Sequence, residues 1–313
     1  MKYRKIPDTN LEISTIGLGT WVFGSTHWSG AEKKDCMNAA RTALDSGINF
    51  IDTAPIYGDG LSEEIVGELL KTCRNKVIVA TKCGLKKEGR KIVIDLSPES
   101  IRNEIEASLR RLHTDCIDLY QCHWPDPNTE IGKTMSVLLK AQSEGKIRYI
   151  GVSNFGLELL EQALSIAPVV SQQVQYSLLD RSIEKDLLPF CLRKQIGVLA
   201  YGPLGGGILS GKYQEQPFFD PGDARSFFYK FYQGKQFGKI RDGLEKLKEI
   251  KRPLNQIAIN YVRQKAGVTS VLVGCRTVEQ ALSNSESADW DLSREQLESL
   301  ENTFSREYLK TAE

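Results

Sequence analysis

The sequence lacks an excess of charge of either sign and lacks any long apolar run. Its 313 residues contain 41 Lys and Arg against 40 Asp and Glu, which gives a formal net charge of +1. General affinity for nucleic acid or for an anionic membrane needs a basic surplus on some face of the protein. A membrane-spanning helix needs about 20 consecutive apolar residues, and no run approaches that length. We therefore expect neither nucleic acid nor a membrane as a partner.

Paired cysteine motifs are also missing. The seven cysteines are dispersed, odd in number and free of any CxxC pair. Such spacing argues against a disulfide framework and against a zinc site, so we expect reduced thiols and no metal. The first ten residues, MKYRKIPDTN, carry charge but no apolar segment of a secretory signal. These features predict a cytoplasmic protein.

What the sequence does contain is a regular alternation. Short apolar runs rich in β-branched residues recur, and longer segments with a 3.6-residue rhythm follow them, such as Glu32–Ser46, Ser62–Lys71 and Pro98–Leu112. Ser97 followed by Pro98 indicates a helix N-cap with proline at the first helical position. The apolar runs number eight: Thr15–Gly19, Ile48–Asp52, Lys76–Lys82, Cys116–His123, Ile147–Ser153, Val169–Gln175, Gly197–Tyr201 and Thr269–Gly274.

Eight β-then-α units predict an α/β fold with a parallel sheet. Right-handed crossovers between neighbours close such units into a (β/α)8 TIM barrel. The alternative is a doubly wound sheet, which usually shows GxGxxG after its first strand. Residues 17–22, GLGTWV, do not complete that pattern. Residues 1–14 contain two strand-like pieces around a turn at 7–10 and predict an N-terminal β-hairpin that closes the barrel bottom. Because α/β barrels of this size commonly form one domain, we expect residues 1–313 to be a single domain.

Polar or ionisable residues end most of the apolar runs. Asp52, Lys82 and His123 each end one. In a barrel the carboxyl ends of the strands meet at one rim, where chemistry takes place. Each residue alone has an ordinary explanation: an Asp caps a helix, a Lys faces solvent, and a histidine such as His113 lies on the surface. The signal is therefore the whole set.

Several motifs in chain order resemble the aldo-keto reductase superfamily. The clearest is the segment 51–58, IDTAPIYG, which resembles the family signature around its aspartate and tyrosine. The resemblance covers essentially the whole chain and is closest to the bacterial general-stress and inositol-cluster reductases, which are related to potassium-channel β-subunits. It continues at 80–82 (ATK), 118–124 (DLYQCHW), 151–155 (GVSNF), 201–207 (YGPLGGG) and 273–276 (VGCR).

The resemblance implies a catalytic set of Asp52, Tyr57, Lys82 and His123. Reduction of a carbonyl needs a hydride on carbon and a proton on oxygen, and a tyrosine can donate that proton. An ordinary tyrosine pKa of about 10 is poorly matched to neutral pH, so we expect Lys82 to lower the pKa of Tyr57. Asp52 would hold Lys82, and His123 would orient the substrate oxygen. The substrate is a small carbonyl compound.

The same resemblance implies an NADP(H) site. Ser153, Asn154 and Gln173 would hold the carboxamide, and Tyr201 would stack on the nicotinamide. Further expected cofactor contacts are Gly19, Thr20, Trp21, Asp52, Gly202, Pro203, Leu204, Ser210, Gly211, Lys212, Gly274, Arg276, Gln280 and Asn284. Trp21, Tyr57, His123 and Trp124 would contact the substrate, in an aromatic mouth to which Trp28 and Phe155 also belong.

Arg276 is the residue on which the preference for NADPH depends. A guanidinium can bind the adenosine 2'-phosphate with two hydrogen bonds. Some family members have arginine where this chain has Gln280, so recognition of the phosphate would rest on Arg276. The alternative is that Arg276 is a solvated residue at a helix start.

Two further segments allow competing interpretations. Residues 206–212, GGILSGK, fit GxxxxGK, but Tyr213 replaces the Ser or Thr that binds magnesium, and a glycine-lined approach to a dinucleotide is favoured. The aromatic and basic stretch Gly222–Gly238 is either a loop packed on the barrel rim or a loop that covers the cofactor.

Three functions are compatible with the residues. The first is an NADP(H)-dependent reductase of aldehydes or ketones. The second is a slow or non-catalytic NADP(H)-binding subunit that senses redox state, since the channel-subunit branch can retain the catalytic set. The third is a Schiff-base lyase that uses Lys82, because lysines on barrel strands also serve that chemistry. The reductase is the function predicted.

Overall fold

The chain folds as a closed barrel of eight parallel strands. The structure, a computed structural model, describes residues 1–24, 32–89, 91–220, 222–232 and 234–305. The predicted (β/α)8 architecture is confirmed. Around the barrel the strand order is β10-β11-β12-β3-β4-β5-β8-β9. The barrel strands are β3 (Ile16–Gly19), β4 (Phe50–Asp52), β5 (Ile78–Cys83), β8 (Ile117–Cys122), β9 (Ile147–Ser153), β10 (Val169–Gln175), β11 (Gly197–Tyr201) and β12 (Val268–Val273).

The strand bounds agree with the predicted apolar runs to within two residues. Strand β4 shows why a strand can start later than its apolar run. The run was expected to start at Ile48. Instead the Ile48 amide donates to the Ala43 carbonyl at the preceding helix end, and the Asn49 side chain accepts from the Ser14 amide. Both residues thus make turn contacts, and pairing with the neighbouring strands starts at Phe50.

The N-terminal hairpin closes the bottom of the barrel, as predicted. Strand β1 (Tyr3–Lys5) pairs antiparallel with β2 (Glu12–Ser14). Ile6, Leu11 and Ile13 are buried in one cluster with barrel residues such as Phe50 and Leu119. These side chains fill the lower interior of the barrel and close it at the amino ends of its strands.

Helices surround the barrel and cover its outer face. Helix α3 illustrates how the sequence defines them, since the Ser97 hydroxyl accepts from the Ser100 amide, Pro98 starts the helix, and His113 ends it in a left-handed conformation with φ 51°. His113 is exposed, as expected. The helices are α1 (Lys33–Asp45), α2 (Leu61–Cys73), α3 (Pro98–Leu112), α4 (Ile131–Ser143), α5 (Leu157–Leu164), α6 (Leu187–Arg193), α7 (Ala224–Phe227), α8 (Gly234–Leu247), α9 (Leu254–Arg263), α10 (Val278–Glu286) and α11 (Arg294–Thr303).

Two features differ from expectation at the open end. A two-stranded antiparallel ribbon, β6 (Leu85–Glu88) and β7 (Lys91–Ile94), follows β5 and was not predicted. The stretch 222–238 was predicted as a loop but contains α7, a 3-10 turn at Lys230–Tyr232 and the start of α8. Asp223 initiates α7 because its side chain accepts from the Arg225 amide.

Candidate active site

A cavity of about 700 Å³ lies at the carboxyl ends of the barrel strands. It contains nearly all the residues that the sequence places in the site; of the predicted residues that the structure describes, Lys82, Gly211 and Phe155 do not line it. Those that line it are Gly19, Thr20, Trp21, Asp52, Tyr57, His123, Trp124, Ser153, Asn154, Gln173, Tyr201, Gly202, Pro203, Leu204, Ser210, Lys212, Gly274, Arg276, Gln280 and Asn284.

Lys82 lies behind the cavity wall and is fully buried. Its ammonium donates to Asp52 Oδ2 at 2.6 Å, to the Thr53 carbonyl at 2.9 Å and to Tyr57 Oη at 3.4 Å. Burial lowers the pKa of Lys82, while the Asp52 carboxylate raises it. The Lys82 ammonium therefore has one hydrogen-bond acceptor for each of its three protons, and Asp52 and Tyr57 are the side chains that it contacts.

Asp52 is held on both carboxylate oxygens. Its Oδ1 accepts from Gln173 Nε2 at 2.7 Å and from Gln121 Nε2 at 3.2 Å. The backbone amide and hydroxyl of Thr20 both donate to the Asp52 carbonyl at 2.9 Å. The carboxylate is thereby fixed by a cation and two amides, a set that offsets the cost of burying its charge.

Gln121 is a site residue that the sequence analysis missed. Gln121 is fully buried on β8, and its amide also accepts from Gln173 at 3.4 Å. A signal was available, since successive side chains of a strand point to opposite faces and Gln121 shares its face with His123 two residues on. A polar residue on the inward face of a buried strand indicates a polar network in the barrel.

The pKa of Tyr57 differs from the expectation. Burial of its hydroxyl raises that pKa well above the ordinary value, and the Asp52 carboxylate raises it further. The net shift is therefore opposite to the predicted lowering, because burial and the Asp52 carboxylate outweigh the Lys82 ammonium, which lies 3.4 Å from Tyr57 Oη. The phenol stays protonated at neutral pH, which is the form that donates a proton.

His123 faces Tyr57 across the cavity floor. The two rings meet edge to face with centroids 5.8 Å apart. Burial lowers the pKa of His123 well below its ordinary value, and the charge of Lys82 lowers it further. The imidazole is therefore neutral, with one nitrogen that donates a hydrogen bond and one that accepts.

Aromatic rings line the mouth beside Tyr57, as predicted in part. The Trp21 ring lies parallel to the Tyr57 ring at 6.1 Å and contacts Phe228 at 5.7 Å. Phe155 is wrongly placed in the mouth by the sequence analysis, since it is 1% exposed and packs in the core outside the barrel. Trp28, which was also predicted to line the mouth, lies outside the described residues.

The loop that carries Tyr57 packs backbone against backbone. An added Cβ on Gly24 would stand 2.6 Å from the Tyr57 carbonyl carbon, and one on Gly58 would stand 2.4 Å from the Gly24 oxygen. Gly58 also has φ 66°, which other residues rarely adopt. The two glycines thus fix the position of the Tyr57 backbone.

An amide-rich wall connects the strands on the far side. Asn154 adopts a left-handed conformation with φ 61°, and its side chain donates to the His123 carbonyl at 3.1 Å and to the Ser153 hydroxyl at 3.0 Å. The Tyr201 hydroxyl donates to Asn154 Oδ1 at 3.0 Å. This wall presents Ser153, Asn154, Gln173 and the Tyr201 ring to the cavity.

The opposite end of the cavity lies at the start of α10. Thr277 caps this helix by accepting from the Gln280 amide at 3.3 Å, and Gln280 Oε1 accepts from the Arg276 amide at 2.9 Å. Gln280 therefore stabilises the turn that presents Arg276. Glu279 also lines this end and places a carboxylate near the Arg276 turn.

Two polar residues at this end, Asn255 and Ser283, were missed, and they lie beside the predicted Asn284. Asn255 on α9 donates to Ser283 Oγ at 3.0 Å and to Asn284 Oδ1 at 3.2 Å, and all three line the cavity. Asn255 gave no signal in the sequence, because an asparagine early in a helix resembles an ordinary polar position.

Glycines shape the wall between the two ends. A Cβ on Gly206, whose φ is 68°, would stand 2.7 Å from the Tyr229 ring. Gly211, which was predicted to approach the cofactor, does not line the cavity, and the Leu254 side chain would lie 2.5 Å from a Cβ added to it. The GGILSGK segment forms 3-10 turns after β11, in keeping with its interpretation as something other than a P-loop.

Comparisons with known proteins agree with this architecture. The model of the aldo/keto reductase family matches residues 15–303. The chain is 39% identical to the aldo-keto reductase YhdN of Bacillus subtilis (strain 168), over 97% of this chain and 95% of that protein. It is 36% identical to the NADH-specific methylglyoxal reductase of Escherichia coli (strain K12), over 95% of this chain and 99% of that protein.

Solved structures give the same result. The glycerol dehydrogenase AKR11B4 from Gluconobacter oxydans has a TM-score of 0.88 and 38% identity, and the match covers 97% of this chain and 95% of that one. The aldo-keto reductase AKR11C1 from Bacillus halodurans has a TM-score of 0.81 and 29% identity, with 97% and 96% covered. Among the described residues, no helix is long and apolar enough to cross a membrane.

Proposed function

The chain belongs to the aldo/keto reductase family, and from this premise we propose that it is an NADP(H)-dependent oxidoreductase that reduces aldehyde or ketone carbonyls to alcohols. The observation that carries the proposal is the contact of Asp52, Lys82 and Tyr57 beside His123, at the floor of a large cavity. We assign Tyr57 as the proton donor. We also propose a cytoplasmic location, because each of the seven cysteines is unpaired.

The cavity residues fit a nicotinamide dinucleotide. Lys212 and Arg276 supply cations for phosphate groups, while Asn255 and Asn284 supply hydrogen-bonding groups at the same end. At the other end Tyr201 offers an aromatic ring beside the amide wall. Gly206 also lines the cavity, and only glycine fits there, because an added Cβ would clash with the Tyr229 ring. A bound nicotinamide would supply the hydride, and the protein supplies placement and electrostatics.

Tyr57 holds the proton that the carbonyl oxygen requires. Its phenol is protonated because burial beside Asp52 raises its pKa. As the proton leaves, negative charge develops on Tyr57 Oη, 3.4 Å from the Lys82 ammonium. The cation stabilises that charge while Asp52 keeps the ammonium in place, so the pair acts in the transition state more than in the resting enzyme.

His123 orients the substrate. A neutral imidazole can donate a hydrogen bond to the carbonyl oxygen without competing for the proton that Tyr57 delivers. Trp21 and Trp124 line the same cavity and would confine the substrate carbon. Productive geometry then requires that the oxygen lies between Tyr57 and His123 and that the carbonyl carbon faces the nicotinamide.

We propose that NADPH is preferred over NADH, and that Arg276 reads the 2'-phosphate. Arg276 lines the cavity at the start of α10, and its turn is fixed by Gln280. A charge-assisted bond to phosphate contributes about 1.5–3 kcal/mol. Glu279 on the same turn works against a phosphate, and one relative is named as NADH-specific, so the ratio of the two affinities is the quantity to measure.

The competing functions are less well supported. A Schiff-base lyase would need Lys82 to reach a substrate, but Lys82 does not line the cavity and its ammonium is held by three acceptors. A regulatory subunit is not favoured, because the matched relatives are named as reductases and a dehydrogenase.

The proposal is tested by the consumption of reduced nicotinamide with a panel of aldehydes and ketones. We expect turnover with at least one class of carbonyl compound, with a higher kcat/KM for NADPH than for NADH. A tightly bound cofactor that is never consumed, across the whole panel, would support the regulatory function instead.

A further inference from the structure

The β6–β7 ribbon has one apolar face in an otherwise charged sequence. Residues 85–94 read LKKEGRKIVI. The register pairs Leu85 with Ile94 and Lys87 with Ile92. Side chains alternate between the two faces of a strand, so Leu85, Ile92 and Ile94 share one face with Lys87. A two-stranded ribbon normally packs such a face against the core.

Here the apolar face borders the cavity. Leu85, Ile92 and Ile94 all line it, and the two isoleucines remain 51% and 36% exposed. Isoleucine is among the residues most often fully buried, so two half-exposed isoleucines side by side at a cavity rim indicate a binding surface.

The topology places this face at the substrate end. The ribbon follows β5, and the neighbouring barrel strands are β4, which precedes the Tyr57 loop, and β8, which precedes His123. The cations Lys212 and Arg276 follow β11 and β12, farther around the barrel. The ribbon therefore continues the apolar mouth outward, away from the groups suited to phosphate.

The ribbon is fixed with respect to the reacting groups. At its base both oxygens of Glu104 lie 3.1 Å from the Gly84 amide, and Lys86 pairs with Asp95 at 2.8 Å. On its upper edge Lys87 pairs with Asp59 at 2.6 Å, two residues after Tyr57. An apolar wall held in this way presents a constant surface to whatever extends from the carbonyl.

We propose that Ile92 and Ile94 form a specificity wall that binds an apolar arm of the substrate, so that the enzyme favours carbonyl compounds with an extended hydrocarbon chain over short polar ones. The inference rests on the proposed reductase function. Its physical basis is that each methylene removed from water against this wall contributes up to about 0.8 kcal/mol, or roughly fourfold in affinity.

The test compares straight-chain aldehydes from propanal to octanal with glyceraldehyde, using NADPH in excess. We expect kcat/KM of the wild type to rise with chain length. In the double variant Ile92→Ser/Ile94→Ser, kcat/KM for octanal should fall about tenfold, while that for glyceraldehyde changes less than about twofold. The variant Ile92→Leu/Ile94→Leu keeps the apolar surface and should keep the preference.

Two single variants serve as controls. Ile166→Ser changes an isoleucine of comparable exposure (39%) that does not line this cavity. Val93→Ser changes the other face of the ribbon. Neither should alter the dependence on chain length, and thermal unfolding of every variant reports whether the fold is retained.

The outcomes separate the inference from the function on which it rests. If the wild type reduces the aldehydes but shows no dependence on chain length, or if the serine double variant loses octanal and glyceraldehyde activity equally, the specificity wall is wrong and the reductase stands. If no aldehyde or ketone is reduced with either cofactor, the proposed function fails, and the inference fails with it.

Discussion

Glu104 has an unusual pKa for a residue outside the reacting groups. It lies on α3, where both carboxylate oxygens accept from the Gly84 amide and Oε1 accepts from the Ser100 hydroxyl at 3.0 Å. Burial raises the pKa of Glu104 from 4.5 to about 7, although these hydrogen bonds and the charge of Lys86 oppose the change. The native protein therefore keeps this carboxyl protonated where an unfolded chain releases the proton.

The sign and size of the effect on stability follow from this difference. Between pH 4.5 and about pH 7 the native state binds a proton that the unfolded state has lost, so the free energy of unfolding falls as the pH rises. One pKa unit corresponds to about 1.36 kcal/mol, so the shift corresponds to roughly 3 kcal/mol. The whole penalty is present above pH 7 and is absent below pH 4.5.

Replacement of Glu104 with glutamine removes the charge and keeps an oxygen for the Gly84 amide. We expect Glu104→Gln to unfold at higher urea concentration than the wild type at pH 8, by about 3 kcal/mol, and to differ by less than about 1 kcal/mol at pH 5. The control Glu106→Gln lies on the same helix, where its partner Lys146 is exposed, and should change stability by less than about 1 kcal/mol at either pH. An equal difference for Glu104→Gln at both pH values would refute the reasoning.

Three further predictions concern the site. Lys82→Met leaves the Asp52 carboxylate buried without its cation and should lower the free energy of unfolding in urea by about 3–5 kcal/mol. Adding Asp52→Asn should recover part of this loss. No recovery would show that the unpaired charge is not the cause. Arg276→Ala should weaken the affinity for NADPH about ten- to a hundredfold in a binding titration, and high salt should diminish this effect. Equal weakening of the affinity for NADH would show that Arg276 does not bind the 2'-phosphate. Gly24→Ala displaces the Tyr57 backbone and should lower kcat about 100-fold with cofactor binding retained. Gly238→Ala, whose added methyl meets nothing within 4 Å, serves as its control. Unchanged kcat for Gly24→Ala would contradict the close packing.

The fold could be predicted because its signal is periodic. Eight apolar runs alternate with helical segments, and residues such as Ser97 and Pro98 mark helix starts locally. The β6–β7 ribbon escaped prediction because the mostly charged residues 86–91 separate Leu85 from the apolar residues 92–94, and its apolar side chains border a cavity instead of a core. A pattern of local sequence does not reveal which surface a strand will face.

The residues that form the site could be predicted from the sequence more successfully than the pKa shifts of those residues. Strand ends and family resemblance brought Asp52, Tyr57 and His123 to one cavity. The predicted direction of the Tyr57 pKa shift was wrong, because the shift depends on how far burial and the Asp52 carboxylate outweigh the Lys82 ammonium. Those quantities depend on distances that no sequence spacing contains.

The same limit explains the residues that were misplaced. Phe155 lies two residues after the end of β9, but its side chain is buried in the core, and the sequence does not define side-chain orientation beyond a strand end. Gln121 was overlooked because the prediction considered the residues at strand ends, whereas Gln121 lies two residues before the strand-end His123 on the same face.

The measurement that tests the central claim most directly is the kinetics of Tyr57→Phe. The substitution keeps the ring beside Trp21 and removes the proton that carbonyl reduction requires. With a carbonyl substrate identified by the panel, we expect kcat to fall about 10²–10⁴-fold while the dissociation constant of NADPH stays within about twofold of the wild type. Carbonyl reduction at close to the wild-type rate by Tyr57→Phe would contradict the assignment of Tyr57 as proton donor.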